Sequence, residues 1–495
     1  MNTAHDPGSL QALQARYGAR HRWLLLLSVM LGTTASVMSS TIMNVGIPDM
    51  SQHFGIGQSR VQWVSSGFMV AMMASMLTTP WMLARYGYRR TYGLCMWVLM
   101  LGGIAGGLAS HYPLVLLARV AEGLAAGAVQ PIPAIIILRA FESHEQGRAS
   151  SLFGTGVVLA PALGPSMGGV LVDWFGWRSI FFMVVPLALA ALWLSRKYVP
   201  TSAPGGVPAN AESPGIDWVG LAMASGSILL LLNGLVELQN SGLAEAATLL
   251  VLALTGMAGF VAWELRLLKR WREGRRRPLM NLKVFRHRTF SMGALVAFTY
   301  GMGLFGSTYL LPVYMQMGLG LSPSYIGAAL LPAGLILALT IALVGRLADR
   351  WSTAWLVSLG LALLAGSFAL TTTVHPAEGL TMLWVWVIVG RIGLGFILPS
   401  LNMGAMRGVP HALIPQGASS INFVRMLGGA VGVSLCAVLL DWRLEAAGFP
   451  QMTRGMGDAG LKAFKETFWM LAAVTALSLI AAVQLRAPGA PKRRD

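Results

Sequence analysis

Stretches of roughly twenty apolar residues recur about fourteen times along this chain, and a helix needs about 20 such residues to cross the hydrocarbon core of a bilayer. Only helices and closed barrels satisfy their backbone polar groups in that core. The pattern predicts an all-α integral membrane protein with fourteen transmembrane helices. The spans begin near Trp23, Val61, Thr91, Pro113, Ser151, Trp177, Asp217, Glu245, Phe290, Ser324, Thr353, Gly379, Pro415 and Thr467. Composition enters at one point: only 11% of residues are charged, too few to solvate several soluble domains, while the 58 glycines suit close approach of helices in lipid. Cys95 and Cys436 both fall inside apolar stretches, which makes them core thiols and not a disulfide framework.

Charge sets the orientation. Most of the 36 Lys and Arg residues fall on one side of the spans, including Arg16, Arg20 and Arg22, Arg85, Arg89 and Arg90, Arg196 and Lys197, and Lys492 to Arg494. Arg60, Arg178, Arg443, Arg454, Lys462 and Lys465 fall on the other. Basic loops stay cytoplasmic, so both termini are expected there. The net charge of +17 then needs no nucleic-acid partner. Its densest run, Arg266 to Arg288, lies between two spans, where it anchors topology beside anionic lipid. Trp23 onward reads as an uncleaved first span and not as the short apolar core of a signal peptide.

An internal repeat organises the chain. Pro80 to Arg85 closes the second span as Gly345 to Arg350 closes the tenth. Arg119 is followed four residues on by Gly123 and later by Pro131; Arg391 is followed four on by Gly395 and then Pro399. Two six-helix pseudo-repeats (23–196 and 290–486) are expected, with two inserted helices at 217–265. Residues 1–22 and 487–495 are cytoplasmic ends, 197–216 is a flexible linker rich in Pro, Gly, Ala and Ser, and 266–289 is the basic loop. Parallel repeats of this kind are the plan of a large transporter class whose substrate site lies near the midplane between the halves.

The residues resemble the major facilitator superfamily, and within it the fourteen-helix drug:proton antiporter branch. The most specific match is the run from Gly156 through Pro161, Gly164 and Pro165 to Gly168 and Gly169. It is similar to that branch's antiporter motif, in which small residues admit a partner helix and prolines permit a bend. Thr41 to Pro48 looks like the first-helix motif, Trp177 to Phe182 and Asp217 to Gly220 open spans six and seven as in the family, and Leu311 to Gln316, Leu331-Pro332 and Asn422, Arg425, Gly428 and Gly429 match later spans. The chain also departs from the pattern. Ser39 stands where the family usually carries an Asp implicated in proton coupling, and Arg119 is followed three residues later by Glu122 where Gln is common. Ala84 and Val184 replace polar family residues.

Ionisable residues deep in a membrane are functional candidates, since each costs about 2.5–3.5 kcal/mol to insert at a helix centre. Arg119, Glu122, Arg391 and Arg425 qualify, and Glu122 is the sole carboxylate well inside a span. Asp173, Asp217, Glu237, Glu264 and Asp441 sit near span ends and read as solvated. Arg119 and Glu122, three apart, share a helix face. Three readings stand: Glu122 couples protons in the role vacant at Ser39, the pair is a static neutraliser, or it recognises cations. Arg391 and Arg425 either pair with backbone groups or face a water-filled cavity. Ser39, Thr41, Asn44, Gln316 and Asn422 complete the candidate substrate cavity, and the resemblance implies that Arg85, Arg89, Arg90, Asp349 and Arg350 gate the cytoplasmic side.

The expected function is a secondary exporter in a bacterial inner membrane that exchanges hydrophobic or amphipathic toxic compounds for protons. The alternative is export of a specific metabolite or lipid-like compound with altered or no proton coupling. A sensor or an enzyme is the third class. No nucleophile–base pair, metal cluster or phosphate-cradling loop is evident in the sequence, so no enzyme activity, cofactor, metal or nucleotide drive is expected. A periplasmic adaptor is a partner of some exporters of this branch, but the last external loop, Asp441 to Glu466, is short for one.

Overall fold

Caps, glycines and prolines decide where these helices begin and end. The computed structural model describes residues 8–210, 215–240, 243–271, 278–374, 380–449 and 457–485. Helix α1 (Leu10–Tyr17) starts at Ser9, whose hydroxyl accepts from the Ala12 amide at 3.2 Å, and stops at Gly18 with φ 58°. Helix α2 (His21–Phe54) stops at Gly55, φ 62°. Then come α3 (Gln58–Val61), α4 (Trp63–Met76), α5 (Thr79–Leu108), α6 (Tyr112–Val129), α7 (Ile132–Ala140), α8 (Gln146–Phe175) and α9 (Arg178–Tyr198). The inserted pair follows as α10 (Trp218–Asn240) and α11 (Leu243–Trp271). The rest are α12 (Arg288–Val313), α13 (Pro323–Ala348), α14 (Thr353–Thr371), α15 (Thr381–Met406), α16 (Ile414–Ala446), α17 (Gly457–Leu477) and α18 (Leu479–Ala482). Among the described residues there is no strand.

Twelve of the helices, counted among the described residues, are long and apolar enough to cross a membrane. The other two expected spans fall on α4, apolar but of 14 residues, and on α8. The boundary between the second and third expected spans is a backbone event: Gly87, at φ 75° and ψ 175°, breaks α5 into two helical runs. That conformation is essentially reserved for glycine. Large apolar side chains are left uncovered on the outer surface, among them Leu117, Leu254, Leu339 and Ile480. Such surfaces suit lipid, not water.

The chain divides into two compact units: residues 1–225, 259–282 and 411–420, and residues 226–258, 283–410 and 421–495. The α10–α11 pair is thereby shared between them. The basic run Arg275 to Arg277 and the tail 487–495 lie outside the described residues.

In the first unit glycines set the helix contacts. A methyl on Gly164 would come within 2.6 Å of Thr41 Oγ1, and one on Gly168 within 2.6 Å of Ile42 Cγ1, so these motif glycines seat α8 on α2. Gly156 faces Met30 more loosely, and Gly169 faces nothing. Gly123 and Gly127 of α6 lie directly on the α4 backbone at Phe68 and Met72. The second unit repeats this: Gly395 of α15 packs on Thr340 of α13, while Gly428 and Gly432 of α16 press on the α12 backbone at Phe298 and Met302. Thus the residue four positions after each repeat arginine has the same packing task.

Two expectations are corrected. The linker after α9 is docked over residues 199–210, and 211–214 lie outside the described residues: Tyr88 and Arg89 amides donate to the Ser202 and Pro200 carbonyls at 3.0 Å, the Asn210 amide donates to Ala84 O at 3.1 Å, and the Thr201 amide donates to Gly8 O at 3.0 Å. Its docking surface is the turn at Gly87, where a side chain would strike the Thr201 carbonyl. Asp217 and Glu264 are not solvated but wholly buried, because the chain after α11 folds back over them. Trp263 Nε1 donates to Asp217 Oδ2 at 2.8 Å, and the Leu279 amide donates to Glu264 Oε1 at 3.3 Å.

Candidate functional site

Helix α6 carries Arg119 and Glu122 inward on one face, and its neighbours supply everything they touch. Arg119 Nη1 lies 2.5 Å from Glu122 Oε2, with 0% and 1% of the two side chains exposed. The same Nη1 donates to Ser39 Oγ at 2.7 Å, Nη2 donates to the Ser39 carbonyl at 3.2 Å, and Nε donates to the Val64 carbonyl at 3.2 Å. The guanidinium stands 4.2 Å from the centroid of the Phe68 ring, a cation–π contact in a dry setting. Ser39 in turn donates to Glu122 Oε2 at 3.2 Å. Its hydroxyl therefore bridges the two charged groups.

Room for the carboxyl comes from α5. A methyl on Gly102 would lie 2.7 Å from Glu122 Cγ, and one on Gly103 would lie 3.6 Å from Glu122 Oε1. That second oxygen is buried with no hydrogen-bond partner. Every nitrogen of Arg119 thus has a partner, whereas one of the two Glu122 oxygens has none. An unpartnered buried oxygen is costly, and a proton is the smallest group able to relieve it by converting an acceptor into a donor or neutral hydroxyl. Sequence reasoning found Arg119 and Glu122 by their depth. It did not anticipate Phe68, Val64, Gly102 or Gly103, which contribute a ring face, a carbonyl and space, none of them signalled by residue chemistry.

Ser39 lies buried at the centre of this cluster. Of its neighbours on α2, Thr41 bonds back to its own helix through Met38 O at 3.3 Å, and exposed Asn44 accepts from Ser65 Oγ at 2.8 Å. In the second unit Asn422 is buried and its Oδ1 accepts from Arg425 Nη2 at 2.7 Å. Arg391 makes no hydrogen bond or ion pair among the described residues. It borders a cavity of about 10 Å³ shared with Ser307, Ser367 and Thr371, room for a single water. The buried Tyr300 lies within electrostatic reach of both arginines. Gln316 is half-buried in a wide turn, Tyr314–Gly318. The repeat is therefore chemically asymmetric: three residues after Arg391 stands Leu394, where Glu122 stands after Arg119.

Of the expected gate, Arg85 stacks near the Trp81 and Tyr86 rings, Arg89 donates through Nε to Val199 O at 2.7 Å, and Arg90 is exposed. Arg89 thus secures the linker. Asp349 caps α13 half-buried, with Arg350 exposed beside it. Among the described residues no group of His, Cys, Asp and Glu is placed to hold a metal.

Comparisons with known proteins agree with this architecture. The chain is 28% identical over 417 residues to the multidrug resistance protein B homolog of Mycobacterium tuberculosis, covering 83% of this chain and 75% of that protein. It is 24% identical over 419 residues to a lincomycin resistance protein of Bacillus subtilis (84% and 85% covered) and 23% identical over 464 residues to a riboflavin transporter of Clostridioides difficile (94% and 97%). Among solved structures it resembles a proton:xylose symporter with a TM-score of 0.64 at 13% identity, covering 94% of this chain and 95% of that one. A human organic anion transporter gives 0.61 at 14% identity, covering 93% and 99%. The family model of the Major Facilitator Superfamily matches residues 29–433, most of the sequence, and with this all-helical, multi-pass fold it shows that the chain belongs to that family of membrane transporters.

Proposed function

We propose that the protein is a proton-coupled secondary exporter of hydrophobic or amphipathic toxic compounds, working by alternating access. In this reading it is a member of the fourteen-helix drug:proton antiporter branch in a bacterial inner membrane, with both termini cytoplasmic. One observation carries the proposal. Ser39, where the resemblance implies a coupling Asp, is hydrogen-bonded to Glu122, so the carboxylate has changed helix while keeping its place beside Arg119. The relatives named for multidrug and lincomycin resistance support the substrate class.

Glu122 then accepts a proton at Oε1 when the site opens outward, which weakens its hold on Arg119 and Ser39 and releases substrate. Loss of that proton inward restores the ion pair and readies the protein to load again. The sealed geometry of the pair and the relative named as a riboflavin transporter favour a second reading, export of a specific metabolite with Glu122 as a static neutraliser. Proton release from acid-loaded everted vesicles on adding amphipathic cations separates the two. The coupling reading requires release by wild type, loss of release in Glu122→Gln, and retained substrate binding by the variant. Normal exchange by Glu122→Gln refutes it.

A further inference from the structure

The first unit contains a second polar site, which shares no residue with the Arg119–Glu122 pair and is without a task in the proposed transport cycle. A cavity of about 500 Å³ opens between α1, the start of α2, the end of α7 and the docked linker. Its volume is that of a small-molecule site. Three donors border it without an acceptor: Arg22 Nε, Arg139 Nε and Ser202 Oγ, each buried and without a hydrogen-bond partner. Arg22 is already neutralised, its Nη atoms meeting Glu145 at 2.7 and 2.8 Å. Arg139 is not. Its Nη2 donates only to the His411 carbonyl, and it makes no ion pair among the described residues. Glu142 also borders the cavity, but its side chain is 69% exposed and reaches Arg22 only at 3.9 Å. Leu10, Leu25 and Ile136 add apolar walling to the same cavity.

Unfilled buried donors around one unpaired guanidinium call for an acceptor that carries negative charge. Guanidinium groups match phosphate oxygens in geometry and in hydration. The apolar wall adds a place for a hydrocarbon chain. We propose that this cavity binds the phosphate group of an anionic amphiphile, held by Arg139, Arg22 Nε and Ser202. A phospholipid headgroup and a free phosphate share that chemistry, and the wall makes the lipid the better fit. This site is independent of the proton-coupling proposal.

The test uses delipidated full-length protein in a neutral detergent. Binding of dioleoyl-phosphatidylglycerol, of dioleoylglycerol (the same chains without phosphate) and of inorganic phosphate is followed by native mass spectrometry and thermal shift. The expected result is a single tight phosphatidylglycerol, no comparable dioleoylglycerol, and an affinity about tenfold or more weaker in Arg139→Gln, the loss of one charge-assisted hydrogen bond. Ser202→Glu, which brings a carboxylate into the cavity that Arg139 borders, should abolish the bound lipid while leaving the protein folded. Equal binding of inorganic phosphate, lost in the same variants, would keep the site and assign it to a phosphorylated solute. Binding of phosphatidylglycerol unchanged in Arg139→Gln or Ser202→Glu, or no phosphate-dependent binding by wild type, overturns the proposal and leaves the donors to water.

Discussion

Breaking the buried pair from either side should give unequal costs, and the inequality follows from the contacts. In Glu122→Met, Arg119 keeps the Ser39 hydroxyl and carbonyl, the Val64 carbonyl and the Phe68 face, all of them neutral. A guanidinium cannot shed its charge, so an uncompensated cation stays buried at a cost of about 3–5 kcal/mol. In Arg119→Met the remaining carboxyl can neutralise itself by taking up a proton, leaving a hydroxyl beside Ser39 at a cost of about 1–3 kcal/mol. The double variant removes both charges and fills the space with apolar groups, and such replacements are often neutral or stabilising. It should therefore be more stable than Glu122→Met alone, although it carries one further substitution. Unfolding of the purified proteins in mild detergent, run as a double-mutant cycle, reads these differences directly. Additive costs in the double variant, or equal costs for the two singles, would refute the argument.

Other perturbations test the packing. Gly127→Ala places a methyl against the Met72 carbonyl and should cost about 1–3 kcal/mol. Within the α8 glycine run, Gly164→Ala should destabilise by a similar amount while Gly169→Ala, facing open space, should change melting temperature little. Gly87→Ala should cost about 1–3 kcal/mol through its backbone conformation and release the linker, seen as faster hydrogen exchange at residues 199–210. Glu264→Gln removes one of two buried carboxyls that face the same side of Gly220, and should raise the unfolding free energy by an amount on the order of 1 kcal/mol; a lower unfolding free energy would show that the charge is needed there.

Helices and their apolar character were legible because a bilayer demands long apolar runs, and the paired arginines at 119 and 391 were legible because charge in such a run is rare. What the residues could not convey was partnership. Ser39 read as a vacant place, yet its value lies in touching Glu122, 83 residues away along the chain. Asp217 and Glu264 read as solvated because each is near a span end, whereas burial depends on where the chain after Trp271 returns. The turn between the second and third spans was not legible because a single residue makes it: Gly87 breaks the helical run, and the amides after it, of Tyr88 and Arg89, donate to Ser202 and Pro200 instead of to their own helix. Pro and Gly between 200 and 215 read as freedom, although the carbonyls of Pro200 and Ser202 are taken by outside donors.

That last feature bears on how the segment is able to drift over generations. The contacts fastening residues 200–210 to the segment around Gly87 are made largely by main-chain atoms: the carbonyls of Pro200 and Ser202 accept from the Arg89 and Tyr88 amides, and the Asn210 amide donates to Ala84 O. Side-chain identity is almost free under such an arrangement, while spacing is not. Homologous segments can therefore lose all recognisable similarity and still dock, provided the number of residues between the fastening points is preserved. Removal of one residue between Pro200 and Ser202 should be more disruptive than replacing several elsewhere in the segment, an unusual case in which length, and not spelling, is inherited.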